Sequence, residues 1–250
     1  MQALSVLLLA GCAFERATPQ AVTPQGPVSA GPASTPCVDG EVRNAVLERR
    51  ALAAVVERQA VAYRRPAGKP IERFGAMNVN GVPTVLGVLA RRVDERCRTT
   101  WYRVQLPLKP NGSTGWVRAA DVQVLPVTTR IEVDLSERRV ALFDRGKRVH
   151  VARAAIGSPR TPTPTGRYYV NQRLRPVDPT GPFGPGAVGI SAFSEVLTGW
   201  AQGGPIAIHG TNRPDLIGEA VSNGCIRVAN DDLRLIFDRA LAGTPVLVSA

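Results

Sequence analysis

Among four cysteines and two histidines, Cys225 and His209 have neighbours that suit chemistry. Cys225 stands in Ser222-Asn223-Gly224-Cys225-Ile226-Arg227, and His209 closes the apolar run Pro205-Ile206-Ala207-Ile208. A free thiol titrates near 8.5, so little thiolate exists at neutral pH unless a neighbour draws off the proton. Nucleophilic work at sulfur therefore needs a base in reach, a group that orients the base, and N–H donors for the developing oxyanion. His209 leaves a predicted strand into Gly210-Thr211-Asn212, where side chains are presented rather than packed. Gly224 permits a sharp turn that brings the amides of Gly224 and Cys225 toward one point. On residue types alone a second reading stays open, in which Cys225 is a small buried hydrophobe or pairs with Cys37 or Cys97.

The order and spacing narrow this choice. His209-Gly210-Thr211, followed sixteen positions after His209 by Cys225 within Ser222-x-Gly224-Cys225-Ile226-Arg227, resembles the signature of the L,D-transpeptidase (YkuD-type) catalytic domain. Thr161-Pro162-Thr163-Pro164-Thr165-Gly166 resembles that family's TPTP-x-G turn before a strand, although such a segment is also plain turn chemistry. The resemblance implies a cysteine acyltransferase. Cys225 would be the nucleophile, His209 its base, the Gly210 carbonyl the orienting group, and the amides near Gly224 and Cys225 the oxyanion hole. Ser222, Asn223, Arg227 and Thr211 would line the substrate site. The family most often has histidine where this chain has Asn223, which donates a hydrogen bond but carries no proton.

The implied reaction is attack on the third residue, diaminopimelate, of a peptidoglycan tetrapeptide stem. The terminal D-alanine leaves, and the acyl group passes to an amine of a neighbouring stem. Water as acceptor would make the same site an L,D-carboxypeptidase. A site without turnover would make the chain a non-catalytic peptidoglycan-binding lipoprotein. The resemblance implies no metal and no cofactor, and carbapenem β-lactams as inhibitors.

Elements that position such a site must come from a chain of ordinary globular composition, 44% apolar and 20% charged, with 21 prolines and 24 glycines that favour turns and strands. The expected fold class is mainly β: a small SH3-like barrel, then a β-rich catalytic domain with one late helix. Strands are predicted over 130–134, 138–144, 150–156, 168–171, 188–191, 206–209 and 245–248. A helix is predicted over 229–242, opened by Asn230-Asp231-Asp232 and stopped by Gly243 before Pro245. The Pro- and Gly-crowded segment 175–188 cannot be helix or central strand. It is expected to arch over Cys225, with Phe183 or Trp200 in apolar contact with substrate.

Four parts follow in order: 1–12 a signal peptide with lipobox, 13–36 a disordered linker, 37–127 the SH3-like domain, and 128–250 the catalytic domain. Leu7-Leu8-Leu9-Ala10-Gly11-Cys12 resembles a lipobox, with Cys12 lipidated, which implies a lipid-anchored, extracytoplasmic protein of the cell envelope. The following stretch is Pro, Thr, Ala, Gly and Ser with almost nothing to bury. Trp101-Tyr102-Arg103-Val104 and Gly115-Trp116-Val117 resemble bacterial SH3-like barrels, with runs at 53–63 and 82–90 completing the set. Residues 41–52 read as a helix instead. Export leaves Cys37 and Cys97 to form a disulfide. The net charge of +11 suits an anionic wall or membrane surface. Nucleic acid is disfavoured, because the basic residues are scattered without an aromatic stripe or a zinc-finger spacing.

Overall fold

The computed structural model describes residues 36–45, 50–197 and 199–250. The lipobox at Cys12 and the linker up to residue 35 lie outside the described residues. Short apolar runs punctuated by Gly, Pro and Asn make strands, and the chain is mainly β with a single α-helix among the described residues.

The first sheet comprises β1 (Val42–Asn44), β2 (Ala51–Val56), β3 (Gln59–Tyr63), β4 (Pro70–Gly75), β5 (Val85–Val93), β6 (Thr99–Gln105), β7 (Thr114–Arg118) and β8 (Val122–Val127). All pairs are antiparallel, in the order β4-β3-β7-β6-β5-β2-β8, with β1 on β5. The helix expected over 41–52 is corrected: among the described residues of that stretch, Val42–Asn44 and the start of β2 are strand and none is helix. Ala51, Ala53, Ala54 and Val56 are buried and β2 is paired on both sides, by β5 and β8, so sheet pairing overrides a weak local preference for helix. The run 53–63 is two strands with different partners, broken at Glu57-Arg58. Cys37 and Cys97 form a disulfide with their Cα atoms 5.3 Å apart, which ties the segment before β1 to the β5–β6 turn.

The second sheet comprises β9 (Thr129–Asp134), β10 (Arg139–Asp144), β11 (Lys147–Gly157), β12 (Gly166–Leu174), β13 (Ala187–Phe193), β14 (Pro205–His209), β15 (Ala220–Ser222), β16 (Ile226–Val228) and β17 (Pro245–Ser249), with helix α1 (Asn230–Arg239) before the last strand. Its order is β10-β9-β17-β12-β13-β14-β16-β11-β15, and β10 also pairs with β11, which closes the sheet on itself. Inward residues such as Ile131, Leu142, Val170, Ile190, Ile208 and Ile226 form one core. Helix α1 adds Leu233, Ile236 and Phe237, the i, i+3, i+4 stripe of an amphipathic helix.

The two sheets are joined by specific contacts. Tyr169 on β12 lies over Gly87 on β5, where an added Cβ would come within 2.8 Å of the ring. Gln105 Nε2 donates to the Arg167 carbonyl at 2.7 Å. Asn111 exchanges two 2.8 Å hydrogen bonds with the backbone of Phe193, at the end of the strand that pairs with β14.

Candidate active site

Two short parallel strands carry the candidate residues. In the β14–β16 ladder Ile208 faces Ile226 and His209 faces Arg227. Side chains alternate along a strand, so Ile206, Ile208, Ile226 and Val228 enter the core while Ala207, His209, Cys225 and Arg227 share the opposite face. Cys225, just before β16, thus stands one row from His209. Its sulfur lies 3.9 Å from the Pro205 carbonyl.

His209 is 4% exposed, and its Nδ1 lies 2.6 Å from the Gly210 carbonyl. A carbonyl only accepts, so the neutral ring must carry its proton on Nδ1, which leaves the Nε2 lone pair as the acceptor. Burial lowers the imidazole pKa to about 4; the Gly210 bond opposes this and the nearby Arg227 charge adds to it. The free thiol of Cys225 is pushed up by the protein packed around it, although solvent reaches part of the residue; the Ala207 N–H and Arg227 pull the other way. The resting pair is therefore a neutral imidazole and a neutral thiol.

The turn before the thiol is braced from inside. Gly224 has φ +107°, and a Cβ there would meet Ile206 Cδ1 at 3.0 Å. Ser222 Oγ donates to the Cys225 carbonyl at 2.5 Å and accepts the Gly224 N–H at 3.1 Å. The Gly224 amide, expected at an oxyanion hole, is thus already engaged. The Cys225 N–H meets no acceptor among the described residues and is the donor left for that role. Ser222 and Thr211, both expected at the substrate, are buried, and the Thr211 hydroxyl accepts the Arg213 N–H at 2.9 Å. Asn223 is exposed beside the thiol, and Arg227 is half-buried with no partner for its Nε among the described residues.

Three further groups support the site. The TPTP segment is a clamp: Thr163 Oγ1 donates to the Gly224 carbonyl and accepts the Gly157 N–H, each at 2.9 Å, and Thr161 Oγ1 donates to the Ser222 carbonyl at 2.9 Å. Asn230 does not cap its helix; its Oδ1 accepts the Thr211 N–H at 2.8 Å and lies against Gly210 and Gly184. Phe183, from the Pro- and Gly-rich connection, stacks at a tilt on His209 with centroids 4.8 Å apart, and Pro185 packs on Gly210. That connection therefore covers the histidine side of the site. Trp200, the other expected contact, is 53% exposed in the turn before β14. The second histidine, His150, bonds Asp232 at 2.8 Å and takes no part in this arrangement.

Residues 128–248 match the family described as the L,D-transpeptidase catalytic domain, YkuD. A putative L,D-transpeptidase YkuD of Bacillus licheniformis is 33% identical over 159 residues, 61% of this chain and 88% of the relative. The chain belongs to the L,D-transpeptidase family. The Bacillus subtilis protein of the same description is 34% identical over 119 residues, 48% of this chain, and the match spans just under two thirds of it, 65%. Among solved structures, the catalytic domain of an Enterococcus faecium L,D-transpeptidase acylated by ertapenem aligns with TM-score 0.37 and 27% identity, over 48% of this chain and 96% of that one. Membership implies an acyltransferase acting in the cell wall, and the matched segment holds β9 to β17 almost entire.

Proposed function

We propose that the chain is a peptidoglycan L,D-transpeptidase with Cys225 as nucleophile and His209 as general base. One observation carries the reading: the Gly210 carbonyl holds the Nδ1 proton, so the Nε2 lone pair of a neutral imidazole is left on the strand face it shares with Cys225. In the first step the thiol proton passes to Nε2 as sulfur attacks the carbonyl of the third stem residue. The carbonyl oxygen takes the negative charge beside the Cys225 N–H. Collapse breaks the bond to D-alanine, whose nitrogen takes the proton from the imidazolium, and a thioester remains. In the second step an amine of a neighbouring stem attacks the thioester, gives its proton to His209, and displaces the sulfur.

A low imidazole pKa and a raised thiol pKa favour proton transfer during attack over a standing thiolate–imidazolium pair. Arg227 fits this scheme in two ways. Its charge stabilises negative sulfur, and the same partly buried guanidinium can attract a stem carboxylate. The N-terminal sheet is read as an SH3-like accessory to wall binding. The Cys37–Cys97 disulfide supports an exported, oxidising setting in which Cys12 would be lipidated.

The test is intact-protein mass spectrometry after exposure to a carbapenem, together with D-alanine release from a tetrapeptide stem. Wild-type protein should gain one adduct and release D-alanine; Cys225→Ser and Cys225→Ala should do neither while melting as folded proteins. Wild-type turnover by Cys225→Ala overturns the assignment.

A further inference from the structure

A cavity of about 460 Å³ opens between the two sheets, and Pro205, whose carbonyl lies 3.9 Å from the Cys225 sulfur, is part of its lining. That volume falls in the range of small-molecule sites, roughly 300–1,000 Å³. We propose that this cavity is a saccharide subsite of the active centre, taking an uncharged N-acetylated sugar of the glycan strand that carries the donor stem. The proposal rests on the acyl-transfer reading above.

The lining has the chemistry of a sugar. A pyranose ring offers apolar C–H faces and an edge of hydroxyl and acetamido groups that donate and accept. The apolar part of the lining includes Phe74 and Phe193. The polar part is a row of carboxamides, which also donate and accept without charge. Gln172 Oε1 accepts from Asn78 Nδ2 at 3.0 Å and from Asn80 Nδ2 at 2.9 Å, and Gln202 Nε2 donates to Asn80 Oδ1 at 2.9 Å. Charge is nearly absent, although the chain has 31 lysines and arginines. Arg73 and Glu72 are the charged members of the lining and are adjacent residues of opposite sign on the exposed strand β4. A phosphate, a nucleotide or a bare carboxylate would call for a cationic wall.

The rim is built, yet it leaves apolar groups facing solvent. The turn between β4 and β5 is pinned by Asn78, whose Oδ1 accepts the Asn80 N–H at 2.9 Å and whose backbone N–H donates to the Val82 carbonyl at 2.9 Å. Despite this order, Met77 is 59% and Val79 84% exposed at the cavity. Together with Phe74 and Phe193 they extend the apolar part of the lining beside the carboxamides. Reach also agrees. With the third-residue carbonyl at the sulfur, three residues and one linking unit at about 3.3–3.6 Å each let the sugar stand up to about 13–14 Å away. Gln202 and Phe193 line the cavity together with Pro205.

The experiment compares a free tetrapeptide stem with the same stem carried on its disaccharide, and in parallel measures binding of the disaccharide alone to Cys225→Ala protein by calorimetry. Wild-type protein should show about a tenfold lower KM for the disaccharide-borne stem at similar kcat, and the disaccharide alone should bind. Val79→Asp and Asn80→Ala, which touch no proposed catalytic group, should erase both effects while leaving free-stem turnover and carbapenem acylation unchanged. Equal KM for the two substrates, no binding of the disaccharide, or variants that alter only the KM of the acceptor amine would each overturn the subsite. Disaccharide binding in a protein that neither releases D-alanine nor forms a carbapenem adduct would keep the subsite and overturn the acyl-transfer reading instead.

Discussion

Thr163→Val tests whether the TPTP segment holds the nucleophile turn or merely precedes it. Valine matches threonine in shape but lacks the hydroxyl. The Thr163 side chain is 4% exposed, and its Oγ1 serves two backbone groups at once, the Gly224 carbonyl and the Gly157 N–H, each at 2.9 Å. Both lose their partner in a place with little access for water. At about 1–3 kcal/mol for each buried group left unpaired, the cost is about 2–6 kcal/mol. A domain of this size loses about 2–4 °C per kcal/mol, so the melting temperature should fall on the order of 5–20 °C. Thr161→Val is the matched control. Its Oγ1 donates to the Ser222 carbonyl in a part-buried place beside Ser158 Oγ, where solvent can substitute, so about 1 kcal/mol is expected. Thermal melts give the stability, and single-turnover acylation by a carbapenem reports whether Gly224 and Cys225 still stand correctly. A Thr163→Val protein that melts within about 2 °C of wild type and acylates at the same rate would refute the clamp. So would a Thr161→Val protein that suffers equally.

Further outcomes follow from the base and its support. His209→Ala should slow acylation by about 10²–10⁴, the usual worth of a positioned base. Because the folded imidazole titrates at about 4 and the unfolded one near 6.5, acid draws stability off between those two values, the unfolded chain taking up the proton first. Urea midpoints measured across that window should fall as pH falls, and His209→Ala should flatten the fall; a slope unchanged in the variant would contradict the buried neutral histidine. Asn230→Ala removes the acceptor of the Thr211 N–H and should lower kcat by about tenfold, of the order expected from one lost hydrogen bond. Asn230→Asp keeps the acceptor but sets a negative charge beside Gly210, so it should restore rate while moving the acid limb of the pH–rate profile to higher pH. Equal kcat in all three proteins would remove Asn230 from the site.

Read alone, the sequence determined the residue types and the elements with strong local patterns. Cys225 and His209 stand out because nucleophile and base chemistry admits few side chains, and the two runs that hold them keep a recognisable order and spacing. The strands from β9 to β14 and β17 follow from apolar runs between turn residues, and α1 from Leu233, Ile236 and Phe237 ahead of Gly243 and Pro245. Periodicity records which face of an element is buried, not which element covers it. For that reason β15 and β16, three residues each, had no readable pattern, and 41–52 was misread as helix where strand neighbours decide the backbone. Tertiary structure alone decided that β14 and β16 run parallel in the register that sets Cys225 one row from His209. It turned Asn230 away from its helix to hold the Thr211 loop, and it brought Thr163 onto the Gly224 carbonyl across 61 positions of chain. Such contacts join groups whose local sequence is satisfied without them, so only the closed sheet, by fixing which strands are neighbours, selects them.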